Sequence, residues 1–160
     1  MNGFGKRFYT PRGFARDLRQ VLGNMGSFRE TSRSGRVSRS FAEKIMLAVT
    51  AVNGCRYCAY GHTRMALQAG VEPDEIERLL ASELGEFPEE EAVALAFAQH
   101  WAETAGQPDP QAEGRFRDYY GPQVSDDILN WMRMINMGNL LGNTFDAVLW
   151  KVGIRHRGSE

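Results

Sequence analysis

The stretch Glu43–Ala69, EKIMLAVTAVNGCRYCAYGHTRMALQA, decides how this chain of 160 residues is read. Its apolar run extends through Val52, is opened by Ser40-Phe41-Ala42-Glu43, which has the capping-box form Ser-x-x-Glu, and is closed by Asn53-Gly54. Those signals predict a helix. A second helix is predicted from about Cys55 to Ala69, with Gly70 as its stop. Folded back across Asn53-Gly54, the two would form a helical hairpin.

Working outward, helical signals continue on both sides. Upstream, Phe14, Leu18, Val21 and Leu22 fall at helical spacing and run into Gly23-Asn24, a short helix with its stop. Residues Phe28–Ser40 (FRETSRSGRVSRS) are polar and without periodicity, so a loop is expected there. Downstream, Pro73 opens a third helix with Asp74, Glu75 and Glu77 at its positive end and Ile76, Leu79 and Leu80 inward, stopping near Glu83–Gly85. Pro88 with Glu89, Glu90 and Glu91 repeats that start signal for a helix through Val93, Leu95, Phe97 and Trp101, broken at Gly106-Gln107-Pro108. A helix over about Gln111–Tyr120, a break at Gly121-Pro122 and a long helix from about Ser125 to Trp150, capped by Ser125-Asp126-Asp127, complete the chain. No alternating strand pattern of useful length occurs. The fold class is all-α, as one domain over 1–160: a basic N-terminal helix and loop (1–40), a helical core (41–150) and a polar tail (151–160).

Composition agrees with an ordinary globular protein: 42% hydrophobic, 11% aromatic and 24% charged residues, with a net charge of −1 that excludes a globally basic nucleic-acid binder. Apolar runs such as Ile45–Val49 and Ala92–Ala98 are far shorter than the roughly 20 residues a membrane helix needs, and the basic N-terminal residues have no apolar run behind them, so a cytoplasmic location is expected. Charge is segregated: residues 1–40 hold nine Lys/Arg against two acids, residues 72–127 fifteen acids against three Arg. Intramolecular or intersubunit complementarity is the simplest reading, with the basic arm Arg29–Arg39 available to a partner or a second subunit.

Chemistry concentrates at Cys55, Cys58 and His62. At about 100° per residue these positions span an arc of roughly 60° on one helix face. A thiol pair at this spacing near a helix start can close into a disulfide, and the helix N-terminus favours thiolate. In the hairpin Glu43 lies about 15 Å from the turn along one helix and His62 about 10 Å along the other, so Glu43 reaches His62 more easily than either sulfur. Glu43 can thus orient His62 as base for a thiol, or serve the Ser40 capping box instead.

The pattern Glu43, eleven residues, Cys55, two residues, Cys58, three residues, His62, within AVNGCRYCAYGH, resembles the core motif of the alkylhydroperoxidase AhpD-like group of the carboxymuconolactone decarboxylase superfamily. INMGNLLGNTFDAVL (Ile135–Leu149) resembles that group's final helix more loosely. The resemblance implies an all-α homo-oligomer and a peroxidase whose cysteines cycle between dithiol and disulfide. It assigns Cys58 as attacking thiolate, Cys55 as the resolving thiol, and proton handling to His62 and Glu43. The helix-dipole argument alone favours Cys55 as nucleophile. Some redox members carry a histidine between the cysteines where this chain has Tyr57, which can donate a hydrogen bond but is no base near neutral pH; Tyr57 is placed near the thiols and Tyr60 as packing. No bound organic cofactor is implied. Electrons must come from a protein reductant, for which the group suggests a lipoyl-bearing, thioredoxin-like or peroxiredoxin partner.

Other readings compete. Zinc could use Cys55, Cys58, His62 and Glu43, but three ligands on one helix face make a tight tetrahedron awkward and no second Cys-x-x-Cys is present, so no metal is expected. The cysteines could be inert packing residues. The superfamily's decarboxylase branch, acting on a lactone acid, would leave both thiols idle, and a non-enzymatic redox-sensing oligomer would form the disulfide without turnover. Asn136, Asn139 and Asn143 are read as an interhelical hydrogen-bond ladder, Gly138 and Gly142 as points of close helix approach, His100 as structural or at the surface, and His156 as solvated. Met132, Met134 and Met137 with Trp131 are read as core or subunit interface.

Overall fold

Seven helices and no strand make up the described residues, 5–153, of the computed structural model: α1 (Pro11–Gly23), α2 (Met25–Ser34), α3 (Arg39–Asn53), α4 (Arg56–Gln68), α5 (Pro73–Leu80), α6 (Glu89–Glu103) and α7 (Pro110–Lys151). The all-α expectation holds. His156 and most of the expected polar tail lie outside the described residues. No described helix is long and apolar enough to cross a membrane.

The apolar run became the central element. α3 is buried without interruption from Ala42 to Thr50 and packs on α4, α5, α6 and α7. Ile45, Leu47, Ala48 and Val49 are completely enclosed, joined by Leu79 of α5, Leu95 of α6 and Ile128 and Met132 of α7. Each such aliphatic side chain contributes about 1.5–3 kcal/mol by leaving water, enough to make α3 the axis of the fold. Phe97 of α6 stacks on Phe116 of α7 with centroids 4.1 Å apart. Lys44 is buried in this core because Glu75 and Glu91 meet its Nζ at 2.8 and 2.7 Å.

Helix boundaries follow the sequence with instructive exceptions. The N-cap of α3 is Ser38, whose hydroxyl accepts from the Phe41 N–H, so Ser40 caps nothing and Glu43 is free of the capping box. Gly54 ends α3 with φ +66°, the left-handed conformation glycine adopts without a Cβ penalty. α5 stops at Leu80, earlier than its expected end near Glu83–Gly85. The break at Gly121-Pro122 is present as a kink, since Gly121 has φ +74° and ψ 168° inside α7. Ser125-Asp126-Asp127 do not cap the helix that resumes there: Ser125 is buried with its Oγ bonded to the Gly121 carbonyl, and Asp127 is buried against α2.

The largest departure is the loop expected over Phe28–Ser40. Phe28–Ser34 are helical, forming most of α2, which ends on Gly35 at φ +66°. Periodicity is absent there because polar contacts to α7 replace an apolar face. Asp127 accepts from the Thr31 hydroxyl at 2.6 Å and from Arg36 Nε at 2.6 Å, while Asn130 donates to Ser27 and Thr31. In α1 no residue is buried and Leu22 is exposed. Met132 joins the core as expected, whereas Met134 is exposed, and His100 is structural, its Nε2 accepting from the Asp109 N–H.

Candidate active site

Cys55 and Cys58 are joined in a disulfide, with Cα atoms 5.4 Å apart. The bond sits at the start of α4: Cys55 is the N-cap, and its Sγ accepts the Cys58 N–H at 3.3 Å, taking the place a serine or aspartate oxygen usually holds. An N-cap sulfur facing unpaired amides is stabilised as thiolate when reduced. Burial separates the two sulfurs. Cys55 is 1% exposed, whereas Cys58 is reached by solvent.

The hairpin of α3 and α4 brings Glu43 and His62 together, nineteen residues apart in sequence, with Glu43 Oε2 2.7 Å from His62 Nδ1. Glu43 is buried and His62 nearly so. A carboxylate on Nδ1 selects the tautomer with the proton on that nitrogen, leaving Nε2 free to accept a proton. His62 follows Cys58 by four residues on α4 and shares its face.

α7 closes the other side. Gly142 backs directly onto the disulfide: a Cβ there would lie 2.6 Å from Cys55 Sγ, 3.8 Å from Cys58 Sγ and 3.6 Å from the Tyr57 ring. Of the two glycines read as close-approach points, Gly142 is one and Gly138, with open space where its Cβ would be, is not. One turn beyond Gly142, buried Asp146 accepts from the Tyr57 hydroxyl at 2.8 Å and from Arg56 Nη2 at 2.7 Å, with Lys6 Nζ at 3.9 Å. Tyr57 is therefore beside the thiols, as expected, held by Asp146 and packed against Phe145 with centroids 5.9 Å apart. Tyr60, expected to pack, is among the most exposed aromatics, with the Arg64 guanidinium 5.9 Å from its ring.

The asparagine row is the ladder its spacing predicted. Thr50 donates to Asn139 at 3.1 Å, Asn53 to Asn136 at 3.0 Å, and Asn143 donates to the carbonyls of Asn53 and Arg7 at 2.8 and 2.9 Å. These bonds fix the α3–α4 turn to α7 and strap the segment Lys6–Tyr9 across it. Arg7 also donates to Asn53 Oδ1 and to the Ala102 carbonyl.

Sequence reasoning missed Asp146, Arg56 and the strap. Asp146 carried one available signal, its position four residues after Gly142 on the same helix face. No curated protein and no solved structure matches the chain. A family model does match, over residues 20–100, from the end of α1 through most of α6 and so including Glu43, Cys55, Cys58 and His62: the chain belongs to the carboxymuconolactone decarboxylase family.

Proposed function

We propose that this chain is a thiol-dependent peroxidase of the AhpD-like kind within its family, reducing hydroperoxides through Cys55 and Cys58. The observation that carries this reading is the disulfide at the α4 N-terminus beside a histidine whose Nδ1 is held by Glu43. In the reduced protein His62 Nε2 takes the Cys58 proton. The Cys58 thiolate attacks the terminal peroxide oxygen, the O–O bond breaks, and an alcohol leaves with one proton, giving a sulfenic acid at Cys58. Cys55 thiolate then attacks that sulfur, the S–S bond forms and water leaves. Two thiols and one hydroperoxide thus become a disulfide, an alcohol and water.

Solvent access favours Cys58 for the first step, since a peroxide cannot reach a sulfur as deeply buried as Cys55. Access also makes Cys58 the sulfur an external thiolate would attack to restore the dithiol. That reductant is a dithiol carrier of lipoyl-bearing or thioredoxin-like type, whereas a peroxiredoxin partner would draw electrons from the Cys55–Cys58 dithiol. A homo-oligomer is supported by the apolar stripe Leu141, Phe145, Val148 and Val152, exposed on α7 and beyond its end.

The test is the intact mass and free-thiol count of the reduced protein before and after one equivalent of organic hydroperoxide. Loss of both thiols with a mass decrease of about two hydrogens supports the reading. Unchanged thiols overturn it. Catalysis that persists with both cysteines replaced by serine would move the assignment to decarboxylation of a lactone acid.

A further inference from the structure

A concave site lies away from the disulfide, between α1, α2, the α6–α7 connection and α7, with a volume of about 230 Å³. Arg133 of α7 lines it and makes no hydrogen bond or ion pair among the described residues. Its partial burial sets it apart: the other half-buried arginines, Arg56, Arg78 and Arg117, each hold a carboxylate, and the arginines with no such bond among the described residues are otherwise exposed. Burial, the largest influence on Arg133, pushes its pKa below the ordinary value, and the nearby charge of Asp126 does not offset it. A guanidinium withdrawn from water without a partner is a standing cost that an anion would remove.

The other groups lining the pocket fit such a ligand. Among the described residues, the exposed side chains of Gln20 and Gln107 make no hydrogen bond, and Asn136 spends its carbonyl oxygen on Asn53 while its amide N–H groups stay unengaged. The one carboxylate in the lining, Asp17, is already occupied, accepting from Arg16 Nε at 2.8 Å and from the Tyr9 hydroxyl at 3.0 Å. Phe28 and the buried Trp101 supply the apolar part of a lining that is otherwise mostly polar. The volume lies below the roughly 300–1,000 Å³ of sites for larger ligands and suits a single ring.

We infer that this pocket binds a small aromatic carboxylate, the carboxylate on the Arg133 guanidinium and the ring between Phe28 and Trp101. The site is separate from the dithiol. Arg133 precedes Gly142 by nine residues, roughly 14 Å along α7 at 1.5 Å per residue. It therefore stands whether or not the chain is a peroxidase.

Calorimetric titration of the full chain with benzoate, neutral benzamide and inorganic phosphate tests it. Benzoate should saturate one site per chain with a Kd of about 1 mM or tighter. Benzamide should bind more than tenfold more weakly, and phosphate more weakly than benzoate because it leaves the aromatic walls unused. Arg133→Gln should abolish benzoate binding while leaving the melting temperature unchanged or higher, since the guanidinium makes no hydrogen bond or ion pair among the described residues and its burial outweighs the nearby charges of Asp126 and Glu113. Should that variant fail to fold, Val21→Phe, which fills the pocket from α1 without altering a charge, should abolish binding in its place. The Cys55→Ser/Cys58→Ser protein should bind benzoate normally. No saturation by benzoate, equal binding of benzamide, tighter binding of phosphate, undiminished binding in the folded pocket variant or loss of binding in the double-serine protein each overturns the inference.

Discussion

Glu43 Oε2 lies 2.7 Å from His62 Nδ1, and the pair bridges α3 and α4 within the hairpin that carries the disulfide. Because Ser38 rather than Ser40 caps α3, no backbone amide competes for this carboxylate. Replacing Glu43 with Gln exchanges the acceptor-only carboxylate on Nδ1 for an amide that can also donate, and so loosens the tautomer. In the reduced protein, thiol alkylation at pH 7 should slow about tenfold, as for loss of a base-orienting group, with its pH profile displaced toward alkali. His62→Ala should slow it at least as much. An unchanged profile in both variants would remove the proton relay from the mechanism.

The order of attack can be read by trapping sulfenic acid with dimedone after one equivalent of hydroperoxide. Cys55→Ser should accumulate the adduct on Cys58, because the attacking sulfur is intact and its resolving partner is gone. Cys58→Ser should give little or none, because Cys55 is enclosed. The reverse pattern would mean that the N-cap position of Cys55, and not solvent access, selects the nucleophile.

Gly142 and Gly138 should respond oppositely to alanine. At Gly142 the new methyl would stand 2.6 Å from Cys55 Sγ, so the α4 N-terminus must shift. Destabilisation of about 1–3 kcal/mol and slower disulfide formation are expected. Gly138→Ala meets nothing within 4 Å in a helix interior, and should stabilise by about 0.5–1 kcal/mol in chemical denaturation.

Asp127 gives the fold an acid-side sensitivity. Burial raises its pKa, but hydrogen bonds from Arg36, Thr31 and Ser34 and the Arg36 charge outweigh this and hold it below the ordinary carboxylate value. A folded-state pKa below the unfolded one stabilises above about pH 4 and loses that contribution as pH falls through the folded value. Asp127→Asn should cost about 2–3 kcal/mol at pH 7, as for a buried hydrogen bond to a charged group. Urea midpoints for the variant should converge with those of the parent between about pH 4 and pH 2.

Asn143 ties the N-terminal strap to the hairpin turn through the carbonyls of Arg7 and Asn53. Asn143→Leu leaves both without that donor and should cost about 2–3 kcal/mol. Trypsin should then cleave after Lys6 and Arg7 faster than in the parent, as followed by mass.

How far the candidate site was legible depends on chain distance. Cys55, Cys58 and His62 share one helix, so spacing alone placed them on one face, and Glu43 required only that two helices meet across Asn53-Gly54. α2 was unreadable because its stability comes from Asp127 and Asn130, about a hundred residues away, rather than from an apolar stripe of its own. Ser40 misled because Ser38 and Ser40 both precede the same apolar run, and which one caps depends on where the incoming chain turns.

By itself the sequence determined the helical segmentation, the hairpin turn at Gly54 and the gathering of the thiol–imidazole motif, since hydrophobic period, caps and glycine dihedrals act within a few residues. Tertiary structure alone decided that Gly142 rather than Gly138 faces the sulfurs, that Asp146 holds Arg56 and Tyr57, and that Arg133 lines a pocket with no partner among the described residues. The physical reason is rotational. Helical spacing says which residues share a face of α7, but the direction that face points is set by packing against α3 and α4, whose contacts join residues 80–90 positions apart.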